Sequence, residues 1–348
     1  MTLRRLWIGT FPVAGIGTQG GLGEGIWRTD LDLSTGRLSP AVQVCETPAP
    51  SFLVGDASRG LLHSTGEVPR GEVSTWRVQG DCLTRIAVTT SGGVEPTHLT
   101  LMGHLLVVAN YGDGTVGVLD VSGDVPRLRC TFPHTGSGPV AGRQDGPHAH
   151  SSLTLPGDEG VLVFDLGTDE VRTVWTSGDA VLEDTAHSLR LAGGSGPRHA
   201  AWREGGRLLD VTCELSGDVV TLSWDGRRAQ VVGTVALPGA QLPSHIRRSS
   251  LDASIYVADR GPGVLHVLDP RPRPDDSPSP RIVGEVPAGS DCPRHFEVVP
   301  DGRGGEFLVV AGQTASRLHV LHRAPGEPLP HLLPHETEIP SPAFVLPG

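Results

Sequence analysis

The sequence contains no lysine, so all 28 basic side chains other than histidine are arginines. Catalysis by a lysine nucleophile or through a Schiff base is therefore excluded. The formal net charge is −11, and no run of arginines is longer than a pair. A nucleic-acid or anionic-membrane surface needs a local basic excess, so we expect neither nucleic acid nor membrane as a partner.

Cysteine is also scarce: the five residues are an odd number, lie far apart and form no Cys-x-x-Cys pair. A disulfide framework or a structural zinc site is not expected, and a reducing compartment is the simplest interpretation. The apolar run near the N-terminus is too short for a signal sequence, and no segment approaches the length of a membrane span. We therefore expect a cytoplasmic, soluble protein.

Glycine and proline are abundant, with 47 and 30 residues spread evenly along the chain. This distribution favours many short turns between many short strands. A Pro-x-His element recurs at intervals of 46 to 52 residues. The seven units begin at Pro50, Pro96, His148, Pro197, Pro243, Pro293 and Pro342.

Each complete unit contains four β-rich runs, of which the second is the most apolar, and no long helix is indicated. Seven such units predict an all-β chain, a seven-bladed β-propeller with four-stranded blades, as one domain over residues 1–348. The first 49 residues supply three runs of a blade, and the C-terminal PSPAFVLPG supplies the missing first strand. The ring is thus predicted to close by pairing the two chain ends.

Polar residues gather where the predicted fold brings them to one end of the ring. The Pro-x-His elements and the ends of the second strands should converge around the axis. The connections Ile16–Gly25 and Thr135–Pro147 are longer than a hairpin needs, and long loops on a rigid scaffold commonly carry binding sites. A histidine that recurs at one repeat position is commonly structural. Arginines differ, because several guanidinium groups in one pocket are costly unless an anion neutralises them. Arg198, Arg260 and Arg294 are therefore candidate anion-binding residues.

The order of motifs resembles a known family. WIGTF, VVANYGDGTVGVLDV, GRQDGPHAHS, VFDLGTDEV, GSGPRHA and IYVADRG follow one another from Trp7 to about Arg317. They are similar to the lactonase family of seven-bladed propellers, which includes 6-phosphogluconolactonases and carboxymuconate lactonizing enzymes. The resemblance implies a metal-free and cofactor-free site on one face of the ring, with a small anionic lactone as substrate.

The resemblance also implies site residues. The candidate catalytic residues are His150, Glu214, Arg198 and Arg260. The predicted convergence around the axis and the long connection before His148 add the candidate substrate-binding residues: His148, Arg143, Gln144, His199, Arg294, Glu67, Asn110 and Asp165. Opening a sugar lactone needs a base for water and donors for the oxyanion. His150 is the favoured base, with His148 or Glu214 as alternatives, and the arginines would bind the anion.

Three other functions remain open. A carboxymuconate-type cycloisomerase that forms a lactone, or a lactonase or cyclase for a specialised metabolite, would use the same residues. A calcium-dependent lactonase would use the carboxylate and amide oxygens at the strand ends, although the nearby His and Arg would repel a cation. A propeller can also be an interaction platform without activity, but only 4% of the residues are aromatic, which disfavours a large binding surface. We expect a monomer or a weak homodimer.

Overall fold

The computed structural model describes residues 2–11, 25–177, 180–271 and 277–348. The predicted connection Ile16–Gly25 lies outside them, except for Gly25. The described chain forms seven antiparallel sheets, each with consecutive strands in meander order. The prediction of an all-β propeller with seven four-stranded blades is confirmed. We number the blades 1 to 7 from the sheet that begins at Leu53.

The strands of the first three blades, in chain order, have the following bounds. Blade 1 comprises Leu53–Asp56, Leu61–Gly66, Glu72–Gln79 and Cys82–Thr90. Blade 2 comprises Pro96–Met102, Leu105–Asn110, Val116–Asp120 and Arg127–Phe132. Blade 3 comprises Ala149–Thr154, Gly160–Asp165, Glu170–Ser177 and Ala180–Glu183, and its third strand also pairs with the short strand Leu189–Arg190.

The remaining four blades repeat this pattern. Blade 4 comprises Pro197–Trp202, Leu208–Cys213, Asp218–Trp224 and Ala229–Ala236. Blade 5 comprises Pro243–Arg248, Ile255–Asp259, Val264–Asp269 and Arg281–Pro287. Blade 6 comprises Pro293–Pro300, Glu306–Gly312, Arg317–Arg323 and His331–Glu338. Blade 7 comprises Pro342–Pro347, Leu3–Thr10, Ile26–Asp32 and Val42–Cys45.

Blade 7 joins the two ends of the chain. The strand Pro342–Pro347 pairs antiparallel with Leu3–Thr10, so the C-terminal segment is the innermost strand of a blade whose other strands are N-terminal. Val345 and Ile8 lie opposite each other, and both are completely buried. The predicted closure of the ring is therefore present.

The second strands are the most buried because a blade packs against its neighbours on both faces. In blade 2 every residue of Leu105–Asn110 is buried, whereas the outer strand Arg127–Phe132 has no buried residue. Within the described ranges, helix is limited to one 3-10 turn at Thr185–His187. No helix in these ranges is long and apolar enough to cross a membrane.

The first strand of most blades begins with a register shift. In blade 4, Pro197 pairs with Cys213 and His199 with Thr212, so that Arg198 is the extra residue of a β-bulge. Blades 2, 3 and 6 show the same shift. A bulge re-aims a side chain and is common beside active sites. Here the bulge places the middle residue of the Pro-x-His element and the histidine that follows it at different levels along the axis.

In blade 3 the sequence alignment of this element was wrong by one residue. Ala149, not His148, occupies the proline position, since it pairs with Asp165. His150 is therefore the bulged middle residue, and Ser151 replaces the repeat histidine. The structural equivalent of His150 in blade 4 is Arg198, whereas the alignment had equated it with His199.

Two layers of side chains thus surround the axis. We call the middle residues of these elements, bulged or not, the upper layer: Ser51, Thr97, His150, Arg198, Ser244, Arg294 and Ala343. We call the residues that follow them the lower layer: Phe52, His98, Ser151, His199, His245, His295 and Phe344. Adjacent aromatic rings of the lower layer have centroids 4.0 to 5.5 Å apart around the axis. They separate a cavity of about 10 Å³ above, roughly the space of one water molecule, from a cavity of about 620 Å³ below.

Candidate functional site

The cavity above the lower layer is lined by six of the seven upper-layer side chains. Its floor is formed by lower-layer rings, including those of His199 and Phe344. The seventh upper-layer residue, Ser244, donates its hydroxyl to the carbonyl oxygens of Ala258 and Pro293 instead. The bulges therefore bring polar residues from several blades into one site, which is the convergence that the repeat predicted.

Glu214 lies at the centre of a cluster of arginines. It follows the second strand of blade 4 and is buried. Its Oε2 atom lies 2.8 Å from Arg198 Nε and 2.5 Å from Arg260 Nη2. Its Oε1 atom accepts a hydrogen bond from Arg143 Nη2. Three guanidinium groups from three segments thus face one carboxylate, which leaves a surplus of two positive charges.

The charges in this cluster act strongly on one another. Burial alone would raise the pKa of Glu214, but the charges of Arg260, Arg198 and Arg143 outweigh burial and hold the pKa below its ordinary value. Burial and the charge of Arg260 lower the pKa of the Arg198 guanidinium, against the attraction of Glu214. Glu214 is therefore a fixed anion that cannot accept a proton near neutral pH.

The cluster also leaves a hydrogen-bond donor unused. Arg198 Nε and Arg260 Nη2 are engaged with Glu214, whereas the buried Arg198 Nη1 atom has no hydrogen-bond partner among the described residues. Arg260 donates from Nε to the carbonyl of Leu242, 3.2 Å away. Buried donors without partners are costly, and an anion with several acceptor oxygens would satisfy them.

His150 lies beside this cluster in the upper layer and is 6% exposed. Burial and the charge of Arg198 lower its pKa well below the ordinary value, so its imidazole is neutral at pH 7. Its Nδ1 atom has no hydrogen-bond partner among the described residues. The ring makes edge contacts with His199 and Tyr111, with centroids 5.3 and 5.7 Å away. His150 therefore keeps a free hydrogen-bonding atom and is one of the residues that line the cavity.

His148 lies outside the two layers. Its Nδ1 atom is 2.6 Å from the carbonyl oxygen of Tyr111, and its ring stacks on the Tyr111 ring at 4.5 Å. Tyr111 also hydrogen-bonds the Arg143 side chain. The sequence analysis did not select Tyr111, although it is one of only two tyrosines and directly follows a second strand. This position in the repeat was the signal that could have identified it.

Arg143 reaches Glu214 from the long connection between blades 2 and 3, and Gln144 holds that connection in place. Gln144 is completely buried. Its Nε2 atom donates to the carbonyl of Leu166 and to Asp169 Oδ1, both at 2.8 Å. Its Oε1 atom accepts from the Val140 amide. Because both amide hydrogens are used inside the protein, Gln144 is placed to anchor Arg143 and has no donor left for a ligand.

Asn110 and Asp165, two other candidate binding residues, are also completely buried. Asn110 donates from Nδ2 to the carbonyl of Thr115 at 2.9 Å, while its Oδ1 atom has no partner in the described residues. Asp165 Oδ1 accepts from three backbone amides, including that of His148 at 2.8 Å. Burial raises the pKa of Asp165. Both side chains organise the turns that carry neighbouring site residues.

Arg294 lines the upper cavity on the side of blade 6, and Glu67 lies behind Ser51 on the side of blade 1. The Arg294 guanidinium lies over the Phe11 ring, 5.0 Å from its centroid, and Arg294 lines the cavity. Glu67 Oε2 accepts a hydrogen bond from the Ser51 hydroxyl, and Ser51 is itself an upper-layer residue. Burial raises the pKa of Glu67 to about 7, against the effect of Arg294.

The lower-layer histidines are neutral. His98 and His295 accept hydrogen bonds at Nδ1 from backbone amides, and the Nδ1 atoms of His199 and His245 are 2.9 Å apart. Burial lowers the pKa of His98 to about 3 and those of the other three well below the ordinary value. His199, a candidate binding residue, is thus part of the cavity floor and of this ring.

No group of three or more His, Cys, Asp or Glu side chains suited to a metal ion occurs in the part of the chain that the structure describes. The carboxylates and amides considered for calcium are engaged elsewhere: Glu214 with arginines and Asp165 with amides. The five cysteines are all free. The arrangement suits an anionic ligand rather than a cation.

Comparison with known proteins identifies the family. The family model described as "Lactonase, 7-bladed beta-propeller" matches residues 5–347. A 6-phosphogluconolactonase from Formosa agariphila is 25% identical over 322 residues, which cover 86% of this chain and 89% of that protein. The crystallised periplasmic gluconolactonase of Pseudomonas aeruginosa is 26% identical with a TM-score of 0.88, and the alignment covers 99% of both chains. A Lactobacillus plantarum protein shares the fold, at 24% identity and a TM-score of 0.86 over 100% of both chains. The chain therefore belongs to the lactonase family of seven-bladed β-propellers.

Proposed function

We propose that this protein hydrolyses a sugar δ-lactone that carries an anionic group, with 6-phosphogluconolactone as the leading candidate. The observation that carries the proposal is the cluster of Arg143, Arg198 and Arg260 around Glu214. Three guanidinium groups there face one carboxylate, and the buried Arg198 Nη1 atom has no hydrogen-bond partner among the described residues. A phosphate, or the oxyanion that forms when water attacks the lactone, would supply negative charge and further acceptor oxygens.

The relatives support the choice of reaction. Proteins named 6-phosphogluconolactonase and gluconolactonase cover nearly the whole chain at 25% and 26% identity. In the proposed reaction Arg198 and Arg260 bind negative charge, Arg143 closes the cluster from its loop, and His150 hydrogen-bonds the substrate through Nδ1. Glu214 holds the arginines in place. A ligand that neutralises the cluster would bind here more tightly than an uncharged one.

The test measures acid release at pH 7.5 with glucono-δ-lactone and with its 6-phosphate, each corrected for spontaneous hydrolysis. We expect turnover of both lactones, with a higher kcat/KM for the phosphate ester. Arg260→Gln should reduce the advantage of the ester at least tenfold. Arg190→Gln is a matched control because Arg190 is exposed and pairs with Glu170, away from the cavity. Traces at the spontaneous rate for both lactones would contradict the proposal.

A further inference from the structure

Two carboxyl groups occupy the same position of the repeat but have opposite surroundings. Glu214 follows the second strand of blade 4, and Glu67 follows the second strand of blade 1. Three arginines hold Glu214 as an anion, whereas Glu67 receives one side-chain hydrogen bond, from Ser51. When their surroundings shift the pKa values of two carboxyl groups in opposite directions, one group is suited to proton transfer and the other to charge stabilisation.

Ser51 connects Glu67 to the cavity. It is the upper-layer residue of blade 1 and lines the same cavity as His150 and Arg198. Its hydroxyl donates to Glu67 Oε2 and lies 3.2 Å from the Thr65 hydroxyl. The backbone amides of Ser51 and Glu67 both donate to the carbonyl of Ala49, which fixes the two residues relative to each other. A single hydroxyl therefore separates the carboxylate from a ligand in the cavity.

The protonation state of Glu67 changes with pH near neutrality. Burial raises its pKa to about 7; among the charged neighbours, Arg294 and Arg198 lower the pKa and Glu95 raises it. Above that pH Glu67 is a carboxylate able to accept a proton, and below it this capacity is lost. A base with a pKa near the working pH is the efficient case for general-base catalysis.

His150, the base favoured by sequence reasoning, has different properties. Burial and the positive charge of Arg198, Arg294 and Arg260 oppose its protonation, so its pKa lies well below the ordinary value. An imidazole of this kind is present in the neutral form but has little affinity for a proton. Its unpartnered Nδ1 atom suits it to orient the substrate or water.

We propose that, in the lactone-opening reaction proposed above, Glu67 is the general base and acts through the Ser51 hydroxyl. Water attacks the carbonyl carbon; its proton passes to Ser51 Oγ as the Ser51 proton passes to Glu67, and the carbonyl electron pair moves to oxygen beside the arginines. The C–O bond to the ring oxygen then breaks, and that oxygen takes the proton back along the same path. The product is the hydroxy acid, and Glu67 returns to its carboxylate form.

The test is the pH dependence of kcat/KM between pH 6 and 8.5, with folding checked by circular dichroism at each pH. The wild-type chain should lose activity below about pH 7. Glu67→Gln should lower kcat by about 10²-fold to 10⁴-fold with little change in KM, and should abolish the acid limb. Ser51→Ala should lower kcat in the same way. Glu95→Gln is the matched control: it should move the acid limb to lower pH and keep the plateau.

An acid limb well below pH 6 in the wild-type chain, or an unchanged kcat in Glu67→Gln, would overturn the inference while leaving the lactonase proposal intact. Infrared difference titration of the wild type against Glu67→Gln tests the carboxyl without any substrate. One carboxyl that titrates near pH 7 and disappears in the variant supports the inference. Its absence contradicts the inference even if no lactone is turned over, so the two proposals fail separately.

Discussion

Acid should unfold this propeller because folding buries histidines in the neutral form. Burial lowers the pKa of His63, which lies in the second strand of blade 1, from 6.5 to about 4, and that of His98 from 6.5 to about 3. In the unfolded chain both residues take up a proton near pH 6.5. Their contribution to stability is therefore complete above pH 6.5 and is lost as the pH falls towards the folded-state values.

The magnitude follows from these shifts. A pH of 5 lies about 1.5 units below the histidine pKa of the unfolded chain. At this pH the unfolded state has gained a proton at each site, and the folded state has not. At about 1.4 kcal/mol per pKa unit, each residue costs about 2 kcal/mol between pH 8 and pH 5. His199, His245 and His295 act in the same direction. Glu67 and Glu297, whose pKa values burial raises to about 7, take up a proton in the folded state first and act in the opposite direction, but the five histidines outnumber them. A loss of several kcal/mol is a large part of the stability of an ordinary domain.

The assay is urea unfolding followed by tryptophan fluorescence at pH 8, 7, 6 and 5. We expect the free energy of unfolding to fall steadily over this range. His63→Leu should reduce the drop between pH 8 and pH 5 by about 2 kcal/mol, whatever its effect at pH 8. His104→Gln is the control, since His104 is exposed. A pH-independent unfolding free energy, or the same drop in His63→Leu, would refute the reasoning.

Two further predictions concern the site and the closure of the ring. Glu214→Gln leaves the buried Arg198 and Arg260 and the partly exposed Arg143 without their carboxylate and should cost about 3–5 kcal/mol in unfolding free energy. Phosphate should restore stability more in the variant than in the wild type, and equal urea midpoints without phosphate would contradict this. A chain ending at Glu338 lacks the strand Pro342–Pro347, which pairs with Leu3–Thr10 and contains the completely buried Val345. It should melt well below the full-length chain in a calorimeter, and an equal Tm would argue against closure by this strand.

The fold was accessible from the sequence because its signals are local and repeated. Pro-x-His elements about 50 residues apart mark the first strands, and the apolar second runs mark the strands buried between blades. The N-terminal segment holds three strands of a blade and the C-terminal segment holds one, and this division indicated the closure at Pro342–Pro347. A repeat shows its pattern several times, so one ambiguous unit does not obscure the architecture.

The site was less accessible, and the bulges are the main reason. A bulge adds one residue to a strand, so the period of two no longer tells which side chains share a face. His150 was therefore matched to the lower layer, although it belongs to the upper layer with Arg198. The sequence also gave no sign that Gln144 and Asp165 would be consumed by turns. Their partners are backbone groups, which any sequence supplies.

The roles of the two glutamates could not be assigned from the sequence for a different reason. Both follow a second strand, and only the folded ring shows that three arginines meet at Glu214 and that Glu67 receives a serine hydroxyl. These contacts join residues separated by up to 71 positions along the chain. Residue type identified the two glutamates as candidates. The charges around them and their burial in the assembled ring give them different protonation states.

The lower layer closes the central channel of the propeller beneath the upper cavity. Rings such as those of Phe52, His98 and His295 fill the axis beneath the upper cavity. A molecule bound above them must leave by the mouth through which it entered. If that molecule is a lactone, its hydroxy acid product carries a new carboxylate that the arginines also attract. Product and substrate then compete for one opening.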